Sequence, residues 1–450
     1  MRKAYFLLPH AIKFILVNLN GLYLKRKRYS GRFFEILNNY LKVDKDETMG
    51  LDIDKVKEIT KHSPFYSITN KIDFFKSPVI TKEIVKENYQ QIINKDEVTT
   101  YLATGGTTGS GLKYPISKEF IYHQWAVYWK FRMIHGLDMD TWCAYIFAKS
   151  ILSSNKKKPP FWIKEYFSKR LYLTLDHLNP ATVKSYLEEI KKSGIQWLHG
   201  YPSVINSLAN LVNQNNLTDL AHSLNIKCIT TSSEMLLGYQ RKNVESTFNC
   251  KVRQLYGMTE GVANIFECEH GSLHVDETYS FVEFIKDEDN PTQYKIVGTQ
   301  YHNKAFPLVR YDTGDRVILD NDHELCKCGR KSRKIKEIIG RDVEYLLLKD
   351  GRKIVRIGML FASAYNINKA QIVQHTKGHA EFYIIKGAMY SQKDEDELVD
   401  GIIQLLGVDF KYDIIYTDTL RTTRNGKTRL IINETEIDKG LVDSPFNFVN

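Results

Sequence analysis

The sequence predicts an α/β fold, with a large N-terminal α/β domain and a smaller α+β C-terminal domain. Three observations carry this prediction. Strand-like and helix-like segments alternate between Glu83 and about Arg341, the pattern of an α/β layer. At 450 residues the chain is longer than one ordinary core accommodates. Beyond residue 341 the pattern changes, with strand signals at 380–386 and 412–416 flanking a helix signal over 392–406. The expected boundaries are a helical arm over 1–80 packed on the large domain, the large domain over 81–340, and the small domain over 341–450.

Residues 1–24 mix apolar side chains with Pro9, His10 and Lys13, and contain neither an apolar run of membrane-spanning length nor a small-residue cleavage site. They read as a helix of the mature protein that can lie at a membrane surface. The run Lys25-Arg26-Lys27-Arg28 follows. Over the whole chain 63 Lys and Arg stand against 53 Asp and Glu, a net charge of +10. Such a balance suits an anionic substrate or a membrane surface, and a generally lysine-rich composition explains it equally well. Neither this basic run nor Lys156-Lys157-Lys158 is interleaved with aromatics and glycines, so no nucleic-acid partner is expected. Six cysteines in a chain of this length, with no signal peptide, point to the reducing cytoplasm. The basic arm adds a peripheral position at the inner face of the membrane.

The run Thr104-Gly105-Gly106-Thr107-Thr108-Gly109-Ser110-Gly111-Leu112-Lys113 follows a strand signal at 98–103 and precedes a helix signal that Ser117 caps and that runs to about Gly136. Glycines let backbone N–H groups turn toward an anion, hydroxyls add donors, and a lysine supplies a point charge. This is the composition of a polyphosphate loop, which makes ATP the expected nucleotide. A Walker loop requires G-x-x-x-x-G-K-[ST], and the residues after Gly111 do not match it. A flexible Gly/Thr hairpin is the competing reading.

Four later segments add to it. Strand signals at 196–199 and 226–231 surround a helix signal over 203–213, and Thr231-Ser232-Ser233-Glu234 lies at a strand end, where open α/β sheets bind ligands. Tyr256-Gly257-Met258-Thr259-Glu260 follows a strand signal at 251–255: a flat ring, a glycine permitting close approach, and a carboxylate suited to Mg²⁺. Tyr311-Asp312-Thr313-Gly314-Asp315 places a carboxylate where vicinal ribose hydroxyls can donate to it. A basic turn over 421–429 carries Asn425-Gly426-Lys427. Each alone also fits an ordinary turn.

Together and in this order, across residues 80–435, these segments resemble the adenylate-forming superfamily of acyl-CoA synthetases, luciferases and adenylation domains. Ser63-Pro64-Phe65-Tyr66, Tyr201-Pro202-Ser203, Tyr256 to Gly261 and Cys326-Lys327-Cys328-Gly329-Arg330 look like its phenylacetate–CoA ligase branch, which includes adenylating proteins of capsular polysaccharide biosynthesis. The resemblance implies a mobile small domain and the following roles. Thr104 to Lys113 would cover the β- and γ-phosphates; Ser232, Ser233 and Glu234 would edge the adenine pocket; Tyr256 would stack on the ring, with Gly257 letting the backbone approach it. Thr259 would meet the α-phosphate, Glu260 would hold Mg²⁺, Asp315 would take the ribose, Arg341 would sit at the nucleotide near the hinge, and Lys427 would be the catalytic lysine. Where the family's hinge reads G-R-x-D-D, this chain has Gly340-Arg341-Asp342-Val343-Glu344, leaving Asp342, Val343 and Glu344 as alternatives for the pivot.

Cys268, His274, Cys326 and Cys328 offer three thiolates and an imidazole, the donor set of a tetrahedral structural Zn²⁺, with His270 as an alternative nitrogen ligand and buried free thiols as the competing reading. Trp125, Trp129 and Phe131 at helical spacing read as core, and the isolated histidines His123, His135, His199 and His222 as satisfied groups.

The expected activity is ATP-dependent adenylation of a small carboxylic acid, releasing pyrophosphate, then acyl transfer to CoA. One alternative transfers the acyl group to an amine or hydroxyl of a surface-polysaccharide sugar; another, of a different class, is a noncatalytic nucleotide-binding partner. The resemblance also admits a homodimer.

Overall fold

In the computed structural model, which describes residues 2–46, 50–103, 113–147, 151–153, 156–174, 177–288, 290–320, 324–341, 345–354, 357–361, 366–387, 390–422 and 428–435, the chain forms two compact units. One comprises Tyr23–Met139 and Gln254–Arg341. The other comprises Met1–Leu22, Asp140–Arg253 and Asp342–Asn450.

In the first unit, Thr100–Ala103 pairs antiparallel with Lys113–Ile116. Ser117 then caps the helix Lys118–Ile134, its hydroxyl accepting from the Phe120 amide at 3.3 Å, as the sequence predicts. Strands Ser280–Lys286, Tyr294–Gln300, Tyr311–Leu319, Lys334–Arg341, Leu273–Val275, Asn264–Glu267 and Val252–Gly257 neighbour one another in that order, each pair antiparallel. The α/β alternation expected up to Arg341 therefore stops earlier: among the described residues no helix occurs from 249 to 356. The reason is local. Antiparallel neighbours need only a turn between them, whereas parallel neighbours need a crossover segment. Gly314, at φ +74°, adopts a backbone that side-chain-bearing residues avoid, and its amide donates to the Asp312 carboxylate at 2.8 Å.

The second unit carries the parallel part. Cys228–Ser232, Trp197–Gly200, Cys143–Phe147 and Arg170–Thr174 run parallel in that order, and Trp162–Glu165 closes the series antiparallel. The crossover helix Val183–Lys192 buries Val183, Tyr186, Leu187 and Ile190, a spacing of i, i+3, i+4, i+7 that lines one face. Each such side chain contributes about 1.5–3 kcal/mol on burial. The C-terminal part of this unit holds strands in the order Lys411–Tyr416, His379–Lys386, Ile367–Thr376 and Ile431–Asn433, with the helix Gln392–Leu406 against them. Both strand signals and the helix signal of the C-terminal α+β region are realised. At the other end of the chain, Pro9 separates the helix Arg2–Leu7 from the helix His10–Arg28.

Candidate functional site

The Thr100–Ala103 hairpin places Ala103 opposite Lys113, so residues 104–112 join paired strand ends. Thr104, Gly105, Gly106, Thr107, Thr108 and Gly109 lie outside the described residues, while Lys113 is the exposed first residue of its strand. Lys427 and the hinge positions 342–344 also lie outside them; an antiparallel bridge between Thr422 and Thr428 brackets 423–427.

Two of the predicted nucleotide residues of the first unit, Tyr256 and Asp315, meet. Leu255 lies opposite Phe266 and Tyr256 opposite Ile265, and strand alternation sends the two pairs to opposite faces. Tyr256 packs against the apolar cluster that contains Ala263 and Ile265, and its hydroxyl donates to the Asp315 carboxylate at 2.7 Å. Asp315 is buried on its strand and is the register partner of Arg341. Tyr256 and Asp315 thus meet although their strands are not neighbours in the sheet, and Arg341 holds the position opposite Asp315 on the adjacent strand.

The turn after Tyr256 holds Thr259 half-buried and Glu260 buried. Gly261 closes it at φ +65°; a Cβ there would sit 2.4 Å from the Phe120 ring, so a side chain is excluded twice over. The Gln300 side-chain amide donates to the Glu260 carbonyl. Tyr114, which carried no signal in the sequence, lies beside the Glu260 carboxylate and places its hydroxyl 3.4 Å from that of Tyr311. Burial first, then the charges of Glu260 and Tyr311, raise the Tyr114 phenol, which therefore stays protonated and able to donate.

In the second unit the strand Cys228–Ser232 ends at Ser233, whose φ is +70°. The Glu234 carboxylate accepts from the Ser203 amide at 3.2 Å, at the positive end of the helix Pro202–Gln214. Glu234 also acts on the C-terminal region: burial lowers the Lys369 ammonium below its ordinary value, and Glu234 opposes that shift. Asn206 donates to the Asn368 carbonyl at 3.2 Å and Asn210 to the Asn368 side chain at 2.7 Å. Leu237 and Tyr239, just after the Ser233–Glu234 loop, join the apolar core of the C-terminal strands.

The cysteine and histidine donors form one cluster. Ligand atoms of Cys268, His274, Cys326 and Cys328 all lie within 4.8 Å of one another. The Cys268 and Cys326 sulfurs are 3.9 Å apart, and Cys328 Sγ is 3.5 Å from His274 Nε2. A tetrahedron with Zn–S near 2.3 Å and Zn–N near 2.0 Å has S···S edges of about 3.8 Å and S···N edges of about 3.5 Å, so the donor set fits that ion. His274 Nδ1 faces the Ser332 carbonyl at 3.3 Å, which fixes Nε2 toward the sulfurs. His274, not the exposed His270, is therefore the nitrogen of the cluster.

Behind it, Lys130 Nζ lies 2.9 Å from Asp276 and 3.3 Å from Asp44, while Arg330 Nη2 lies 2.7 Å from Asp44. Burial alone would raise the Asp44 carboxyl; Lys130 and Arg330 overcome it and hold it low. Phe131 packs with the cysteines, and Trp129 donates to the Tyr29 hydroxyl at 3.1 Å, so both are core. His199 is satisfied by Thr230, whereas His123 stacks on His302 at 3.4 Å between ring centroids, a pairing no sequence signal announced.

Residues 346–434 match the family described as the CapK C-terminal domain. The chain is 23% identical to protein CapK of Staphylococcus aureus, over 94% of this chain and 97% of that one. It is 31% identical over 118 residues to a phenylacetate–coenzyme A ligase of Thermus thermophilus, a match spanning 24% of this chain and 26% of the ligase. In fold it is similar to 2-hydroxyisobutyryl-CoA ligase in complex with 2-HIB-AMP, with a TM-score of 0.65 and 15% identity over 86% of this chain and 89% of that one. The anthranilate CoA ligase in complex with anthranoyl-AMP gives 0.50 and 12% identity over 74% of this chain and 66% of that one. In sequence the chain is thus similar to CapK and, over a shorter stretch, to phenylacetate–CoA ligase, and its fold is similar to that of adenylate-forming CoA ligases.

Proposed function

We propose that this protein activates a small carboxylic acid with ATP as an acyl adenylate, releasing pyrophosphate, and passes the acyl group to the thiol of CoA. The observation that carries this reading is the 2.7 Å bond from the Tyr256 hydroxyl to the Asp315 carboxylate, with Arg341 at the register position opposite Asp315. Asp315, so oriented, accepts from the ribose hydroxyls, and Tyr256 offers its ring to the base. Ser233 and Glu234 edge the adenine, and residues 104–113 cover the β- and γ-phosphates. Thr259 donates to the α-phosphate.

Glu260 is the residue that would hold Mg²⁺; a buried carboxylate is the hard oxygen donor that ion selects, and it neutralises phosphate charge when bound. Tyr114 donates to Glu260 and keeps that carboxylate in place. Lys427, carried on the C-terminal domain over 341–450, bridges the attacking carboxylate and the phosphate oxygens as charge builds between them. CoA sulfur then attacks the acyl carbon and AMP leaves. In this reading the C-terminal domain moves between the two steps, releasing the Asn206 and Asn210 contacts to Asn368. Cys268, His274, Cys326 and Cys328 would hold a structural Zn²⁺, whose role with four protein ligands would be stabilising rather than chemical.

A second acceptor, an amine or hydroxyl of a sugar used in surface polysaccharide, is favoured by one observation: the CapK match runs nearly the length of both chains, while the CoA ligase match covers about a quarter of each. The test is ATP–pyrophosphate exchange against aromatic, fatty and hydroxy acids, followed by product analysis with CoA and with amino sugars. Acid-dependent exchange supports adenylation, and the acylated product names the acceptor. ATP binding without exchange for any acid would replace this reading with the noncatalytic one.

A further inference from the structure

The helix His10–Arg28 is docked by an unusual face. His10 Nε2 lies 3.2 Å from the Trp162 carbonyl, and Asn18 bonds the Lys164 carbonyl at 2.9 Å and the Tyr166 amide at 3.0 Å. Lys13 and Gly21 are buried on the same side, Gly21 against Glu165. The polar and small residues therefore face the protein. The apolar residues Ile12, Ile15, Leu16, Leu19 and Tyr23, spaced at three and four, form a continuous stripe facing out, with Ile15 54%, Leu19 58% and Tyr23 60% exposed.

Flanking chain extends this surface. Leu7, in the preceding helix, is 87% exposed, and Tyr166 and Phe167 are exposed on the turn that Asn18 holds. An ordinary surface helix does the reverse, so the stripe marks a contact surface.

Charge selects the partner. The helix contains no acidic residue, and none occurs in the chain before Glu35. Lys25 and Arg26 are exposed at its end. Lys157 and Lys158 are also exposed, and their neighbour Lys156 is near enough to Lys13 to act on its charge. A second copy would bring the same uncompensated positive charge to the contact. A bilayer carrying anionic headgroups takes apolar residues, interfacial aromatics and lysines together. Among the described residues, no helix is long and apolar enough to cross a membrane.

We propose that the outward stripe of His10–Arg28 seats the protein on an anionic phospholipid bilayer, with the apolar side chains in the headgroup boundary and Lys25 and Arg26 on the lipid phosphates. The helix lies in the plane of the surface. This seat is independent of the adenylation reading.

The test is co-sedimentation of the full chain with phosphatidylcholine vesicles, with and without phosphatidylglycerol, at low and high salt. Wild-type protein should sediment with the phosphatidylglycerol vesicles and be released by salt. The Ile15→Glu, Leu19→Glu double variant, altering only exposed positions, should lose binding while keeping its melting temperature. Lys25→Glu with Arg26→Glu should weaken partitioning by about tenfold or more and flatten the salt dependence. Failure of the wild type to sediment, or equal binding by the Ile15→Glu, Leu19→Glu variant, would overturn the proposal. So would a wild-type dimer in solution that this variant dissolves, which would assign the stripe to a second copy. A soluble protein partner that competes for the stripe while vesicles do not bind would overturn it as well.

Discussion

Leu255 and Tyr256 are consecutive residues of one strand, and they serve two different centres. Leu255 packs against the cluster of Phe131, Phe266 and the three cysteines, whereas Tyr256 turns to the other face and bonds Asp315. On the Cys/His face the thiols and the imidazole lie close together, with Ser332 on the far side of His274 and the buried charges of Lys130, Asp44 and Arg330 behind. On the other face, the one proposed for the nucleotide, Tyr256 and Thr259 are half-buried. Period-two alternation is what separates them: in the proposed reading one strand carries a closed metal staple on one side and the nucleotide surface on the other. Stability and chemistry should therefore be separable by substitutions one residue apart.

The largest effect expected is on the chemical side alone. Lys427→Ala should lower pyrophosphate exchange by roughly 10²–10³-fold while ATP affinity and melting temperature stay near wild type. Unchanged turnover would remove Lys427 from its assigned role. On the opposite face, Cys326→Ser or chelator treatment should lower the melting temperature on the order of 5–10 °C, with zinc lost by elemental analysis and exchange per folded molecule preserved. Absence of stoichiometric zinc in the purified wild type would dismiss the staple.

The comparison is sharpened by the adjacent pair. Leu255→Ala should cost about 1–3 kcal/mol of stability in denaturant melts and leave the KM for ATP unchanged. Tyr256→Phe should do the opposite, raising that KM by about tenfold through loss of one hydrogen bond to a carboxylate, with little change in the melt. If the two substitutions gave the same signature, the two faces would not be separate.

Sequence legibility followed the range of the signal. The strand before the glycine-rich run, the Ser117 cap and the helix Gln392–Leu406 rest on neighbours within a few residues, and each was readable, whereas the partner strand Lys113–Ile116 was not. The four metal-cluster positions were readable because thiol chemistry narrows the choices, but selecting His274 over His270 required the pairing of Leu273–Val275 with Asn264–Glu267. Tyr114 beside Glu260, His123 on His302, and Lys130 between Asp44 and Asp276 are contacts across long sequence separations. A tyrosine, a histidine or a lysine on a helix or strand looks like any other until the fold brings its partner. The outward stripe of His10–Arg28 was hidden for a related reason: periodicity shows that a helix has an apolar face, and only docking shows which way it points.

The central claim is that the Tyr256–Asp315 pair holds the ribose of ATP. It is tested most directly by pyrophosphate exchange with ATP, 2′-deoxy-ATP and 3′-deoxy-ATP, in the wild type and in Asp315→Asn. The account predicts that the wild type strongly prefers ATP and that this preference collapses in the variant, with the melting temperature little changed. Equal discrimination by both proteins would contradict it and move the ribose site away from Asp315.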